Sequence, residues 1–357
     1  MASSRRQLPL AVCTIVPPQV LRRIEEIGTE EDRVRARRTR EKSARIRHAR
    51  AGRRTRRLAA APPVSKGAVH RSVYDMKQGG NENDLPGVIA RGEGDPAVAD
   101  SAVNEAYEGA GTTYDLYSAA FSRDSIDGQG MELISSVHFD EGFNNAFWNG
   151  AQMVYGDGDG RLFTGFTKSI DVIGHELTHG VTQHTAGLAY EGQSGALNES
   201  FSDVFGSLVK QRSLNQTADQ ADWLIGEGIL GPALPGKALR SMIDPGSAYD
   251  GDTQPRDMDG YTPLPNDEQD DFGGVHQYCS IPNRAFCIAA QQIGGNAWEA
   301  PGTIWYTVLT QPGRLSENAD FAAAAATTVA VAGELFGEGS AQLEAVRAGW
   351  TEVKVLP

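Results

Sequence analysis

The chain has 357 residues, 40% of them hydrophobic, and a formal net charge of −13. That length allows two or more domains with a sizeable core, and no stretch approaches the ~20 consecutive apolar residues of a membrane-spanning helix. The charge is unevenly signed: residues 1–66 carry 18 Lys and Arg against 6 Asp and Glu, net +12, and the remainder carries 15 against 40, net −25, so a basic head and an acidic body attract each other.

SRRQL at 4–8 faintly resembles a twin-arginine start. The apolar run from Leu8 to Val16 is broken by Pro9, stopped by Pro17 and Pro18, and followed by no prompt small-residue cleavage site. LAVC at 10–13 places Val12 where a lipoprotein signal needs a small residue. No conventional export signal is read, which leaves a cytoplasmic location, export by a non-standard route and secretion all open. Beyond it, Val20, Leu21, Ile24 and Ile27 form an apolar stripe at helical spacing; Gly28 breaks it, and Thr29 with Asp32 can cap a second helix. The other reading of residues 33–57 is a disordered basic arm that binds nucleic acid. Residues 58–68 are small, Pro-rich and then Gly, a linker by composition, and cleavage is expected within 50–68, ahead of an apolar residue such as Leu58, or before Val69. Three cysteines, Cys13, Cys279 and Cys287, make no disulfide framework. On one helix the last two lie ~12 Å apart, too far to bridge.

From about 69 to 165 the texture is that of strands and turns: HRSVYDM, GVIARGE, MELISSVHFD, AQMVYGDGD and RLFTGFT are short apolar runs split by Gly, Asn and Asp. Helical windows interrupt it at 95–121 and from Ser169. After about 190 the pattern is mainly helical, with apolar residues three or four apart. The exception is 231–272, a loop rich in Pro, Gly and Asp, of a length that is usually functional or tied to an ion. There are no internal repeats.

The chemistry concentrates at 171–184, DVIGHELTHGVTQH. His175 and His179 are one helical turn apart, so both imidazoles can reach one metal ion. Glu176 projects about 100° round the helix from His175, towards a metal-bound water rather than the metal. This is the H-E-x-x-H arrangement of two zinc ligands and a general base; the plain alternative is a polar helix face. ALNESFSDVFG at 196–206 offers Asn198, Glu199 and Asp203 on a second predicted helix. One carboxylate can complete a three-ligand site with an open position, and another can hold a histidine from behind. In DDFGGVHQYCSIPNRAF at 270–286, His276 follows paired glycines and precedes a helix, with Asp271 five residues before it. Such a pair orients an imidazole, favours its charged form, and could stabilise an oxyanion; alternatively His276 is a surface loop histidine.

With HELTH, NESFSD and GGVH in this order, and with FNNAFWNGAQMVYGDGDG (143–160), DWLIGE (222–227) and LRSMIDP (239–245), residues 70–357 resemble the thermolysin family of zinc metalloendopeptidases. The head, through IVPPQVLRRIEEIGT (15–29), resembles the short precursor segment of protealysin-like members. The resemblance implies an α+β fold of two catalytic domains: a β-rich one ending in the HELTH helix (67–187), and a mainly helical one (188–357), with a cleft between them. A short helical propeptide (1–66) precedes them. It implies His175, His179 and Glu199 as zinc ligands, Glu176 as base, Asp203 behind His175 and Asn198 behind His179. His276 and Tyr190 would stabilise the oxyanion, with Asp271 holding His276. Asn145, Ala146 and Arg240 would bind substrate backbone, with Trp148 nearby. Phe163, Phe166, Val172 and Leu239 would line a pocket for the apolar side chain after the scissile bond, Phe166 standing where an aliphatic residue is expected. Asp171, Asp222 and Glu227 match acids of the family's paired calcium site, but Lys210 and Leu224 replace two others. One calcium at most is therefore expected, with the Lys210 ammonium in place of the second.

The expected partners are a peptide or protein substrate and the chain's own propeptide as intramolecular inhibitor, in a monomer without a membrane span or nucleic acid. Cys13 has two readings: a thiolate at the fourth zinc position of the precursor, or a small apolar core residue. Two other functions share some features. A zinc aminopeptidase would need an acidic anchor for the substrate amine, and none is evident before His175. A binding module with a structural zinc would need four protein ligands, often cysteines, and no cysteine lies near the motif.

Overall fold

The computed structural model of the protein describes residues 13–51 and 67–357. The twin-arginine-like start, most of the linker and most of the expected cleavage region lie outside the described residues. The head comprises strand β1 (Cys13–Thr14) and helices α1 (Pro18–Ile27) and α2 (Glu30–Ala51). Proline at the first position of α1 lacks only an N–H that would be unpaired there. Val20, Leu21 and Ile24 are buried, while Ile27, the last residue before the turn at Gly28, is 42% exposed. The expected cap is present: Thr29 N donates to Asp32 Oδ2 (3.0 Å) and Asp32 N to Thr29 Oγ1 (3.3 Å). Along α2, Asp32, Ala36, Thr39, Ser43 and Ile46 are buried, a single stripe at helical period. Residues 33–51 are thus helical, with the buried stripe running to Ile46, which corrects the disordered-arm reading for that stretch.

The body opens with β2 (Arg71–Asp75), β3 (Val88–Arg91), α3 (Ser101–Phe121), β4 (Leu133–Val137), β5 (Ala146–Trp148) and β6 (Met153–Tyr155). Its sheet runs β1-β5-β6-β4-β2-β3, so the head supplies an edge strand, antiparallel to β5 with Cys13 opposite Trp148 and Thr14 opposite Phe147. RLFTGFT, expected as a strand, makes only the single bridge Phe163–Leu230 and a 3-10 turn at Phe166–Lys168. The reason is local: Asp159 Oδ1 accepts from the amides of Arg161 and Leu162, an Asx turn that competes with pairing.

The second half is helical: α4 (Ile170–His184), α5 (Gly192–Leu214), a long loop pinned by the β7 (Leu224–Ile225) and β8 (Arg240–Ser241) pair, then α6 (Asp271–Tyr278), α7 (Ser280–Ile293), α8 (Ala300–Thr310), α9 (Phe321–Phe336) and α10 (Ala341–Glu352). His276 lies inside α6 rather than before it, because Asp271, Phe272, Gly273 and Gly274 all have positive φ and bend the first turn. The sheet half and the helical half share one continuous apolar core that also takes in Ile15 and Val16 of the head.

Candidate metal centre

α4 is buried from Asp171 through Thr182, so its polar side chains must find partners inside the protein. α5 packs against it at very short range. A Cβ on Gly206 would stand 2.5 Å from Asp171 O and 3.0 Å from His175 N. That approach brings Glu199 to the histidine pair. His175 Nε2 and His179 Nε2 are 3.0 Å apart, and the Glu199 oxygens stand 3.4 Å from each of them. Ligands roughly 2.0–2.1 Å from one tetrahedral ion stand about 3.3 Å from each other. Glu199 Oε2 is buried with no hydrogen-bond partner. This donor set therefore fits zinc, with two imidazoles and a carboxylate converging on one point.

Both histidines are held from behind. His179 Nδ1 faces Asn198 Oδ1 at 2.9 Å, and Asn198 Nδ2 donates to Leu188 O (3.1 Å), which fixes the amide so that its oxygen accepts and Nε2 keeps its lone pair for a metal. Ser202 Oγ is 3.0 Å from the same Nδ1. His175 Nδ1 is 2.8 Å from Asp203 Oδ1. Arg240 donates to both Asp203 oxygens at 2.8 Å, and Asn283 Nδ2 donates to Oδ2, also at 2.8 Å. Burial would push the Asp203 carboxyl up, but Arg240 and His175 outweigh it and hold it well below the usual range. Ser202 and Asn283 were not anticipated. Ser202 is one turn beyond Asn198 and so was findable; Asn283, arriving from α7, left no signal.

Glu176 leaves the same helix beside the ligands. Its Oε2 accepts from Trp148 N at 2.8 Å, and its Oε1 is buried without a hydrogen-bond partner. Burial lifts its carboxyl to about 8, with His175 opposing and Glu199 adding. On the other side, Tyr190 Oη donates to Glu199 Oε1 and lies 3.3 Å from His276 Nε2. His276 Nδ1 is 2.9 Å from Asp271 Oδ1. Burial works against a charged His276, yet Asp271 and Glu199 prevail and raise its pKa.

The predicted substrate-binding residues hold the head strand. Ile15 N donates to Ala146 O (3.1 Å), Val16 N to Asn145 Oδ1 (3.0 Å), and Arg240 Nη1 to Ile15 O (3.3 Å). Thr14 O is 3.0 Å from His276 Nε2. Ile15 and Val16 are at most 1% exposed. Phe163, Phe166, Val172 and Leu239 are buried in the same core, the two phenylalanine rings 5.6 Å apart. Ion pairs fasten α2 around this strand: Asp32 with Arg161, Arg35 with Asp159 (3.4 Å), and Lys42 with Asp140 (3.6 Å).

Away from the centre, Lys210 Nζ lies among the three predicted calcium acids, 2.6 Å from Asp222, 3.1 Å from Glu227 and 3.6 Å from Asp171. Leu224 puts its backbone N–H, not a carboxylate, on Asp222 (3.0 Å).

Residues 65–183 match the family described as thermolysin metallopeptidase, catalytic domain, and residues 186–355 match its alpha-helical domain. The chain is 44% identical over 351 residues to an extracellular metalloprotease of Pectobacterium carotovorum subsp. carotovorum, covering 96% of each. It is 39% identical over 293 residues to thermolysin of Alicyclobacillus acidocaldarius, covering 79% of this chain and 50% of that one. Among solved structures, the precursor of protealysin, a metalloproteinase from Serratia proteamaculans, superposes with a TM-score of 0.85 at 46% identity, covering 96% of this chain and all of the other.

Proposed function

Since the chain belongs to the thermolysin metallopeptidase family and is a metalloendopeptidase, we propose that it is made as a zymogen, holds one zinc through His175, His179 and Glu199, and cuts peptide bonds ahead of an apolar residue. We assign the propeptide to 1–66 and the two catalytic domains to 67–187 and 188–357. The observation that carries the reading is the convergence of three donors at 3.0–3.4 Å, with Glu176 rising from the same helix beside them.

Zinc bound there supplies Lewis acidity, lowering the pKa of a water and polarising the substrate carbonyl. Glu176 takes the proton as that water attacks and delivers it to the leaving amine; its buried, partnerless Oε1 is the oxygen available for the task. Tyr190 and His276 donate to the developing oxyanion, and Asp271 keeps the imidazole aimed. β5, with Asn145 just before it, binds the substrate as an added strand through Ala146 and Asn145, and Arg240 grips the carbonyl after the scissile bond. Phe163, Phe166, Val172 and Leu239 take the apolar side chain there. The head strand makes the same backbone bonds, which supports its role as an intramolecular inhibitor. For the acids around Lys210 we propose at most one calcium, since the ammonium already neutralises them. The extracellular relative supports secretion.

A peptide blocked at both ends and containing Thr-Ile-Val tests the endopeptidase assignment. After self-processing, the protein should cut it before Ile, and Glu176→Gln should abolish cutting while zinc binding persists. Release of only the first residue from unblocked peptides would mark an aminopeptidase instead.

A further inference from the structure

Cys13 is 5% exposed and sits opposite Trp148 on the edge of the sheet. Its Sγ, a His179 nitrogen and a Glu199 carboxylate oxygen all lie within 4.8 Å of one another. Glu199 Oε2 is buried and without a hydrogen-bond partner, as an oxygen awaiting a cation would be. Thiolate binds zinc at about 2.3 Å and completes a tetrahedron when three protein ligands leave one position open.

The next two residues make the placement consequential. Thr14 O faces His276 Nε2 at 3.0 Å, and Tyr190 Oη lies 3.3 Å from the same nitrogen. Ile15 N donates to Ala146 and Ile15 O accepts from Arg240. By the roles proposed above, these are the bonds a substrate makes across its scissile peptide, with Thr14 before the bond and Ile15 after it. A substrate held in that register beside Glu176 lacks only the attacking water.

We propose that the Cys13 thiolate is the fourth zinc ligand of the zymogen, and that by occupying the water's position it spares the Thr14–Ile15 bond. The inference rests on the zinc reading of His175, His179 and Glu199. Binding displaces water and releases the thiol proton to solvent. Without the sulfur, water re-enters and the strand becomes a substrate. The water oxygen joins the Thr14 carbonyl carbon, the C–N bond breaks, and the departing proton reaches the Ile15 nitrogen, leaving a Thr14 carboxylate and a new Ile15 amino terminus.

Two measurements on the full chain test this. In the first, the Glu176→Gln zymogen is loaded with cobalt. It should show the near-ultraviolet thiolate-to-cobalt charge-transfer band, and the Glu176→Gln/Cys13→Ser double variant should lose that band while keeping the visible bands of bound cobalt; Cys279 and Cys287 remain in both. In the second, zinc-loaded Cys13→Ser and Cys13→Ala with Glu176 intact should yield chains beginning at Ile15 by mass spectrometry. Bound cobalt without a charge-transfer band, or a band that survives Cys13→Ser, overturns the ligation. Intact Thr14–Ile15 in Cys13 variants that still cut an added blocked peptide overturns the protective role. Failure to bind cobalt at all would instead remove the metal site, and the inference with it.

Discussion

Asp203 shows what one buried carboxylate organises. It orients His175, anchors both arms of Arg240 and accepts from Asn283, at 0% exposure. Removing it outright would strand a buried guanidinium, at a cost of about 3–5 kcal/mol. Asp203→Asn keeps the volume and loses the charge, and competition against a chelator should find zinc affinity down about 10–100-fold; an unchanged affinity would contradict the account. His138 is a second case. Its Nδ1 is 2.9 Å from Asp157 and its Nε2 2.8 Å from Asp100, so the imidazolium donates at both ends. Hydrogen bonding to Asp157, against burial and with help from Asp100, raises it to about 9. A folded pKa above the ordinary value of about 6.5 gives stabilisation that is complete below about 6.5 and lost as pH climbs through 9. Melting temperatures of Glu176→Gln with and without His138→Gln should therefore differ most at pH 6 and converge near pH 10; a constant difference would refute this. The residues proposed as catalytic could be singled out because they come as spaced motifs. His138 was not, because its partners lie 38 and 19 residues away in sequence and join only through the fold.

At the scale of elements, the centre depends on how closely two helices approach. Gly206 touches the α4 backbone, and Gly174 lies opposite, where a Cβ would meet Gly206 Cα at 3.1 Å. Gly206→Ala should push α5 away and carry Glu199 with it, costing about 1–3 kcal/mol by overpacking and weakening zinc binding together with the melting temperature. Retention of both would mean that the glycine contact does not set the site. The helices bearing HELTH and NESFSD were readable from period and spacing. β1 was not, since two residues carry no periodicity and the strand exists only where β5 offers an edge. RLFTGFT misled for the opposite reason: its apolar alternation suggests pairing, but the Asp159 turn claims the amides first. The bent start of α6 was equally hidden, although the paired glycines marked it as unusual.

Across the whole molecule, the charge split corresponds to a real contact: basic α2 residues meet Asp140 and Asp159 of the acidic body. Exposed pairs of this kind contribute about 0–1 kcal/mol each and are screened by salt. The head is held more firmly by the buried strand, by Ile15 and Val16 in the common core, and by the Asp32–Arg161 pair, in which the acid belongs to the head. The same strand closes a sheet edge that would otherwise stand open to any extended peptide. The change of texture near residue 69 and the shift to helical periods after 190 revealed the broad division of the chain. The pairing of the head with β5 and its contacts with Arg240 and His276 were not written in any local pattern; only the resemblance of residues 15–29 pointed there. All of this turns on the ion that we propose His175, His179 and Glu199 hold. Elemental mass spectrometry of the self-processed protein, paired with peptide cleavage before and after chelation, addresses it directly. The account predicts one zinc and at most one calcium per chain, with cleavage abolished by the chelator and restored by zinc; absence of stoichiometric zinc, or cleavage indifferent to chelation, would contradict it.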